Sequence, residues 1–175
     1  MLRKEDLQMK LVLMEMMGTP CVRRRNVNCN KFCFMKMLAW NIWGADKREA
    51  KEYLWSLVKI HKIDIIFLAG THMLEDENKL FLRKMRRNWD GEFVNSMGRG
   101  GGMMMFWKKE NVNLIIVHKD DQSINALVNM KKGKHCLVSE IYASTDERRR
   151  ALWKRLSQLE IPDIPWIVGG YELYM

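Results

Sequence analysis

The runs Met35-Lys36-Met37-Leu38-Ala39-Trp40-Asn41 and Ile63-Asp64-Ile65-Ile66-Phe67-Leu68, with the segment 47–61 between them, decide the fold. Residues 35–41 read as a buried strand, apolar at nearly every position. In residues 47–61 the apolar positions Ala50, Tyr53, Leu54, Leu57 and Val58 fall at i, i+3, i+4, i+7 and i+8, which predicts an amphipathic helix with one face on a core. Residues 63–68 are β-branched and aromatic enough to return to strand. Two strands joined by a connection this long, built as a helix, pair in parallel as a right-handed βαβ unit.

Residues 78–87 carry a shorter helical pattern, with Leu80, Phe81 and Met85 as its apolar positions. Strands are then predicted at 92–95, 103–107, 112–117, 124–130 and 135–142, punctuated by Gly98-Arg99-Gly100-Gly101-Gly102, by residues 108–111, by Lys119-Asp120-Asp121 and by residues 131–134. These connections are too short for crossovers, so the middle of the chain is expected to be antiparallel. A last helix over 146–159 starts behind a cap near Thr145 and leads through Pro162 and Pro165 to a strand at 166–169. Alternating strands and helices make the fold class α/β.

Composition agrees with one globular unit. The 175 residues are 47% apolar and 29% charged, with seven Trp and fifteen Met to fill a core. Collagen-like, coiled-coil and disulfide-scaffold architectures are excluded. The net charge is +9, and residues 1–36 carry eight Lys or Arg against three acids, so much of the excess belongs to a basic extension over 1–35 that precedes the domain at 36–175. The extension is expected to be poorly ordered apart from a short helix marked by Leu7, Leu11 and Met14. Cationic surfaces attract polyanions, nucleic acid among them, by neutralising phosphates, although solvated Lys and Arg are the ordinary reading. Cys21, Cys29, Cys33 and Cys136 lack the spacing of a zinc site and read as free thiols. No apolar run approaches the ~18–20 residues of a membrane span, and no secretory or transit signal is legible. An intracellular protein without membrane contact is expected, nucleus and cytoplasm both remaining open.

Several segments, taken in order, resemble the endonuclease/exonuclease/phosphatase family, most of all the nuclease domains of plant LINE-type retrotransposons. They are Met37-Leu38-Ala39-Trp40-Asn41-Ile42-Trp43-Gly44, Lys62-Ile63-Asp64-Ile65-Ile66-Phe67-Leu68, the Gly-rich stretch leading into residues 103–107, Ile141-Tyr142, Arg149-Arg150-Ala151-Leu152-Trp153 and Pro165-Trp166-Ile167-Val168-Gly169-Gly170. The resemblance covers residues 36–173, about the first half of the family's domain. It implies a truncated DNase-I-like α/β sandwich and, in the family, hydrolysis of phosphate esters with Mg²⁺ held by clustered carboxylates.

Carried over position by position, the resemblance leaves little of that chemistry. Asn41 matches the Asn that organises the family's metal and phosphate site, and Tyr142 matches a Tyr near the phosphate. The family's Gln-Glu-Thr, whose Glu is the principal metal ligand, reads Ala69-Gly70-Thr71 here. Its Gly-Asp-Phe-Asn reads Gly170-Tyr171-Glu172-Leu173, so Gly70, Tyr171 and Leu173 occupy the positions of the family's Glu, Asp and Asn. No bound metal is therefore expected, with Mg²⁺ the ion if the chain is active.

Alternatives remain beside the inactive reading. Substitute ligands, with Glu172, His72 or the acids Glu75, Asp76 and Glu77 as candidates, would restore a metal-dependent phosphodiesterase. Arg148, Arg149 and Arg150 open the last helix, either as a phosphate-facing patch of a non-catalytic nucleic-acid binder or as a solvated helix face. The glycine cluster is expected to make a tight turn rather than a phosphate cradle. Half a sandwich is expected to bare an apolar sheet face and invite self-association.

Overall fold

The computed structural model describes residues 9–10, 35–42, 48–97, 100–129, 135–143, 146–159 and 164–172. The elements run β1 (Met9–Lys10), β2 (Met37–Asn41), α1 (Arg48–His61), β3 (Ile65–Ala69), α2 (Glu75–Met85), β4 (Trp89–Met97), β5 (Gly100–Lys108), β6 (Asn113–Lys119), β7 (Ser123–Asn129), β8 (His135–Ala143), α3 (Asp146–Leu156) and β9 (Trp166–Glu172). They form a five-stranded sheet of order β1-β2-β3-β5-β4 and a four-stranded sheet of order β6-β7-β8-β9. As the sequence predicts, β2 and β3 are parallel and β4–β5, β6–β7 and β7–β8 pair antiparallel, whereas the successive β5 and β6 lie in different sheets. The return of β9 beside β8 is parallel again, with α3 as the crossover.

Strand alternation sorts the apolar residues into layers. In the first sheet Leu38, Trp40, Ile66, Leu68, Met104 and Phe106 face the helices, where Ala50, Leu54, Leu57 and Val58 of α1 and Phe81 of α2 meet them. The alternate residues, Met37, Ala39, Ile65, Phe67, Met103 and Met105, face the second sheet and pack on Leu114, Ile124, Ala126, Val128, Cys136, Val138 and Ile167. On the far side of the second sheet, Leu152 and Leu156 of α3 cover Ile141. The order is helices, sheet, sheet, helix. At one end of the first sheet Asp64 ties the strand starts together. Its carboxylate accepts from the Lys36 backbone N–H at 3.1 Å and from the Asn111 amide at 2.8 Å.

Three expectations change. The inner faces of the two sheets close on each other, so the sandwich interior is not bared. Among the described residues, exposed large apolar groups lie on the outer side of the second sheet, at Ile115, Val117 and Val168, at Trp153 of α3, and elsewhere at Tyr53, Ile60, Leu74, Leu80 and Met97. The helix predicted from residue 78 begins at Glu75, because Glu75, Asp76 and Glu77 make up its acidic first turn rather than a loop, as the helix dipole favours. Within the segment marked by Leu7, Leu11 and Met14, Met9 and Lys10 are extended and pair antiparallel with β2. Supplying a border to an exposed sheet edge competes there with helical spacing. The rest of that segment lies outside the described residues, as do Cys21, Cys29 and Cys33. One irregularity marks the ladder between β6 and β7, a shift of register between Ile116 and His118.

Candidate functional site

Because β2 and β3 run in parallel they end together, with Asn41 opposite Ala69 and the Ile42 N–H donating to the Ala69 carbonyl at 3.0 Å. The chain then turns through Gly70, whose φ of 61° is left-handed. Beyond it the Thr71 and His72 N–H groups donate to the carbonyls of Gly102 and Gly101, at 3.3 and 3.1 Å. The start of β5 is thereby clamped to the same end. A glycine is required at 102, where φ is +82° and a Cβ would lie 2.4 Å from the Thr71 hydroxyl oxygen. Gly100, Gly101 and Gly102 thus lie within β5, which begins earlier than its apolar run predicts, and Gly102 serves close packing.

The second sheet brings Tyr142 to this end. A Cβ built on Gly101 would sit 3.8 Å from the Tyr142 ring. Asn41 and Tyr142, separated in sequence by about a hundred residues, therefore stand at the same end of the sandwich. The β9 backbone pairs Tyr171 with Tyr142 and carries Gly170 beside Ile141, so the position of the resembling family's Asp also arrives here. Leu173 lies outside the described residues.

Among the described side chains, the oxygen donors collected at this end are neutral. Asn41 is buried, and the Thr71 hydroxyl is buried without a hydrogen-bond partner among the described residues. Burial pushes the Tyr142 phenol up from its ordinary value, the nearby Arg148 guanidinium partly opposing it. A hard divalent cation needs anionic oxygen ligands. The described side chains here offer an amide, a hydroxyl and a phenol, and among the described residues no three His, Cys, Asp or Glu gather as a metal-holding group. The donor set does not fit Mg²⁺. Of the substitutes, Glu75 pairs with Lys79 at 2.5 Å, and Glu77 accepts the Leu74 N–H at 2.8 Å. Both serve the start of α2. His72 is exposed on its loop with a left-handed φ of 54°.

Arg148 forms an ion pair with Asp121, Arg149 is half-buried and Arg150 is exposed. The sequence reading missed the polar cluster to which Arg148 belongs. Asp120 Oδ1 accepts the N–H groups of Gln122 and Ser123 at 2.8 and 2.7 Å, while Oδ2 pairs with Arg155 Nε at 2.8 Å and lies 3.3 Å from His118 Nε2. Gln122 continues the chain of contacts. Its carbonyl accepts the Tyr142 N–H at 2.8 Å, and its side-chain amide donates to the Arg148 carbonyl at 3.0 Å. Burial raises the Asp120 carboxyl, but the Gln122 N–H, the Arg155 charge and bonds from His118 and Ser123 outweigh it and hold the group below its ordinary range. The signal for this cluster was Asp120 two and three residues ahead of Gln122 and Ser123, the spacing of an Asx turn. On β8, the Cys136 thiol is pushed up to about 11 by burial, as an inert core cysteine should be.

No protein-family model and no curated protein matches the sequence. Solved structures do match. The catalytic domain of human Nocturnin with bound sulfate aligns over 78% of this chain and 62% of its own, with a TM-score of 0.56 and 19% identity. The AP endonuclease LMAP from Leishmania major aligns over 78% of this chain and 54% of its own, with a TM-score of 0.60 and 11% identity. The 3′ phosphatase NExo from Neisseria, bound to a product DNA hairpin, aligns over 78% and 56%, with a TM-score of 0.55 and 15% identity. The chain spans a little over half the length of these structures. At such identities the likeness is one of fold alone. The chain has the DNase-I-like α/β fold of these nuclease and phosphatase domains.

Proposed function

We propose that this chain is a catalytically silent derivative of a retrotransposon-type phosphodiester nuclease, retaining the fold and two neutral site residues without the metal-binding carboxylates. The observation that carries this reading is Gly70 at the end of β3, at the position of the resembling family's Glu, where the backbone is left-handed and the residue itself offers no carboxyl. Tyr171 and Leu173, at the positions of the resembling family's Asp and Asn, support it. The retrotransposon origin rests on the ordered sequence segments. Residual affinity for nucleic acid is part of the proposal, supported by the net charge of +9 and by the DNA hairpin held by the Neisseria neighbour. That affinity is electrostatic and falls steeply as salt rises.

A plasmid-nicking assay with Mg²⁺ or Mn²⁺ tests the reading, run beside a filter-binding titration at low and high salt. The expected result is no metal-dependent nicking and salt-sensitive binding without sequence preference. Nicking that requires the metal and disappears in Asn41→Ala would overturn the silent reading and favour substitute ligands, with Glu172 the first to replace. Binding indifferent to salt would remove the nucleic-acid part alone.

A further inference from the structure

Glu140 lies on β8 with no exposed surface, and neither of its carboxyl oxygens has a hydrogen-bond partner among the described residues. Alternation puts it on the inner face of the sandwich with Cys136 and Val138. Register sets it between Ile124 of β7 and Gly169 of β9. Above Gly169 the first sheet presents apolar surface, since a Cβ there would meet the Phe67 ring at 3.3 Å and Ala39 at 3.9 Å.

Among the described side chains, the elements packed around this layer bring no countercharge. β2 contributes Ala39 and the neutral Asn41, β3 Phe67, β5 Met103, and β7 Ile124. The next inner position on β8 is Tyr142, whose phenol is itself raised, and across from it in register on β9 is Tyr171. An acid in such a layer cannot be both charged and well packed, because an unpaired buried carboxylate costs several kcal/mol.

We infer that Glu140 is carried in the sandwich as a neutral carboxylic acid and works as a pH-sensitive latch, its ionisation loosening the ends of β8 and β9 on which Tyr142 stands. Burial alone pushes the Glu140 carboxyl well above its ordinary value of 4.5. Between those two values the unfolded chain has released the proton that the folded chain still holds. Stability is therefore greatest near and below the ordinary carboxylate range and is lost as pH rises toward the folded-state value. The loss concentrates where the charge appears, one alternate position beneath Tyr142.

Thermal unfolding of the full chain, wild type against Glu140→Gln, from about pH 5 to about pH 9 reads the latch. The wild-type Tm is expected to fall across the range relative to the variant. The variant is expected to lead by about 5 °C or more at the alkaline end and to converge with it at the acid end. Peptide-level hydrogen exchange, corrected for the intrinsic pH dependence, should show the wild-type loss in β8 and β9 ahead of α1. A variant that tracks wild type at every pH, that is less stable throughout, or that removes a loosening spread evenly over the molecule overturns the inference. Infrared spectra of the wild type at neutral pH need no variant. A protonated-carboxyl band should be present when the other acids are ionised, and its absence overturns the inference even if Glu140→Gln fails to fold.

Discussion

Asp120 and Glu140 belong to the same four-stranded sheet, yet the chain treats the two acids in opposite ways. Asp120 sits at the turn into β7, where backbone N–H groups, Arg155 and His118 converge on its oxygens. Glu140 sits in the apolar interior with none of these partners. Asp120 is partly buried and Glu140 wholly so, and burial raises both carboxyls, so burial alone does not set the sign of the shift. Donors do. The turn cluster is a hydrogen-bonded and ion-paired network that joins the turn to α3 and to the Tyr142 backbone, whereas the strand interior holds an ionisable group without partners among the described residues.

The largest effect expected on the ion-paired side is from Asp120→Asn. Losing the charge while keeping the shape should cost about 2–3 kcal/mol in urea unfolding at neutral pH, because Arg155 loses its countercharge, keeping the Gln122 side-chain oxygen as acceptor, and one acceptor becomes a donor. The contribution has a pH signature opposite to that of Glu140. A depressed carboxyl stabilises fully above its unfolded value of 3.8, and the benefit disappears as pH falls through the lower folded value. The gap between wild type and Asp120→Asn should therefore close in acid, while the gap between wild type and Glu140→Gln should open in alkali. If the stability of wild type relative to both variants changed with the same sign as pH rises, the contrast would be broken. Gln122→Ala comes next, at about 1–2 kcal/mol by the same measurement, since it removes the amide that joins the turn to α3 and leaves the Arg148 carbonyl without that donor. Arg148→Ala should be smallest, under about 1 kcal/mol, because its ion pair with Asp121 is half-exposed and solvent-screened. A larger loss would mean that Arg148 acts through more than Asp121.

What the sequence disclosed follows the same division between local and distant causes. The opening βαβ unit was legible because α1 carries its apolar residues at helical spacing and Ile65, Ile66 and Phe67 cannot be a solvated loop. Strand order was not legible. The placement of β5 between β3 and β4 depends on sheet pairing that no local pattern encodes. Asn41 and Tyr142 were singled out by resemblance, and their meeting at one end of the sandwich depends on how the two sheets stack. Glu140 passed unnoticed, although β8 supplied a warning. Leu137, Val138 and Ile141 make both of its faces apolar, and an acid within a doubly buried strand has no solvated side to turn to. The acids of α2 were misread for the converse reason, since a charged first turn and a polar loop look alike until the helix is built.

The register shift between Ile116 and His118 bears on how copies of this protein meet. Border strands with a straight, unbroken ladder are templates for fibrils, and β6 displays Ile115 and Val117 on its outward side. The kink there throws successive amides out of step, so an incoming extended chain can zip only a short way before its donors and acceptors fall out of alignment. One extra residue in β6 thus shortens the ladder that a second copy could extend, quite apart from any phosphate chemistry.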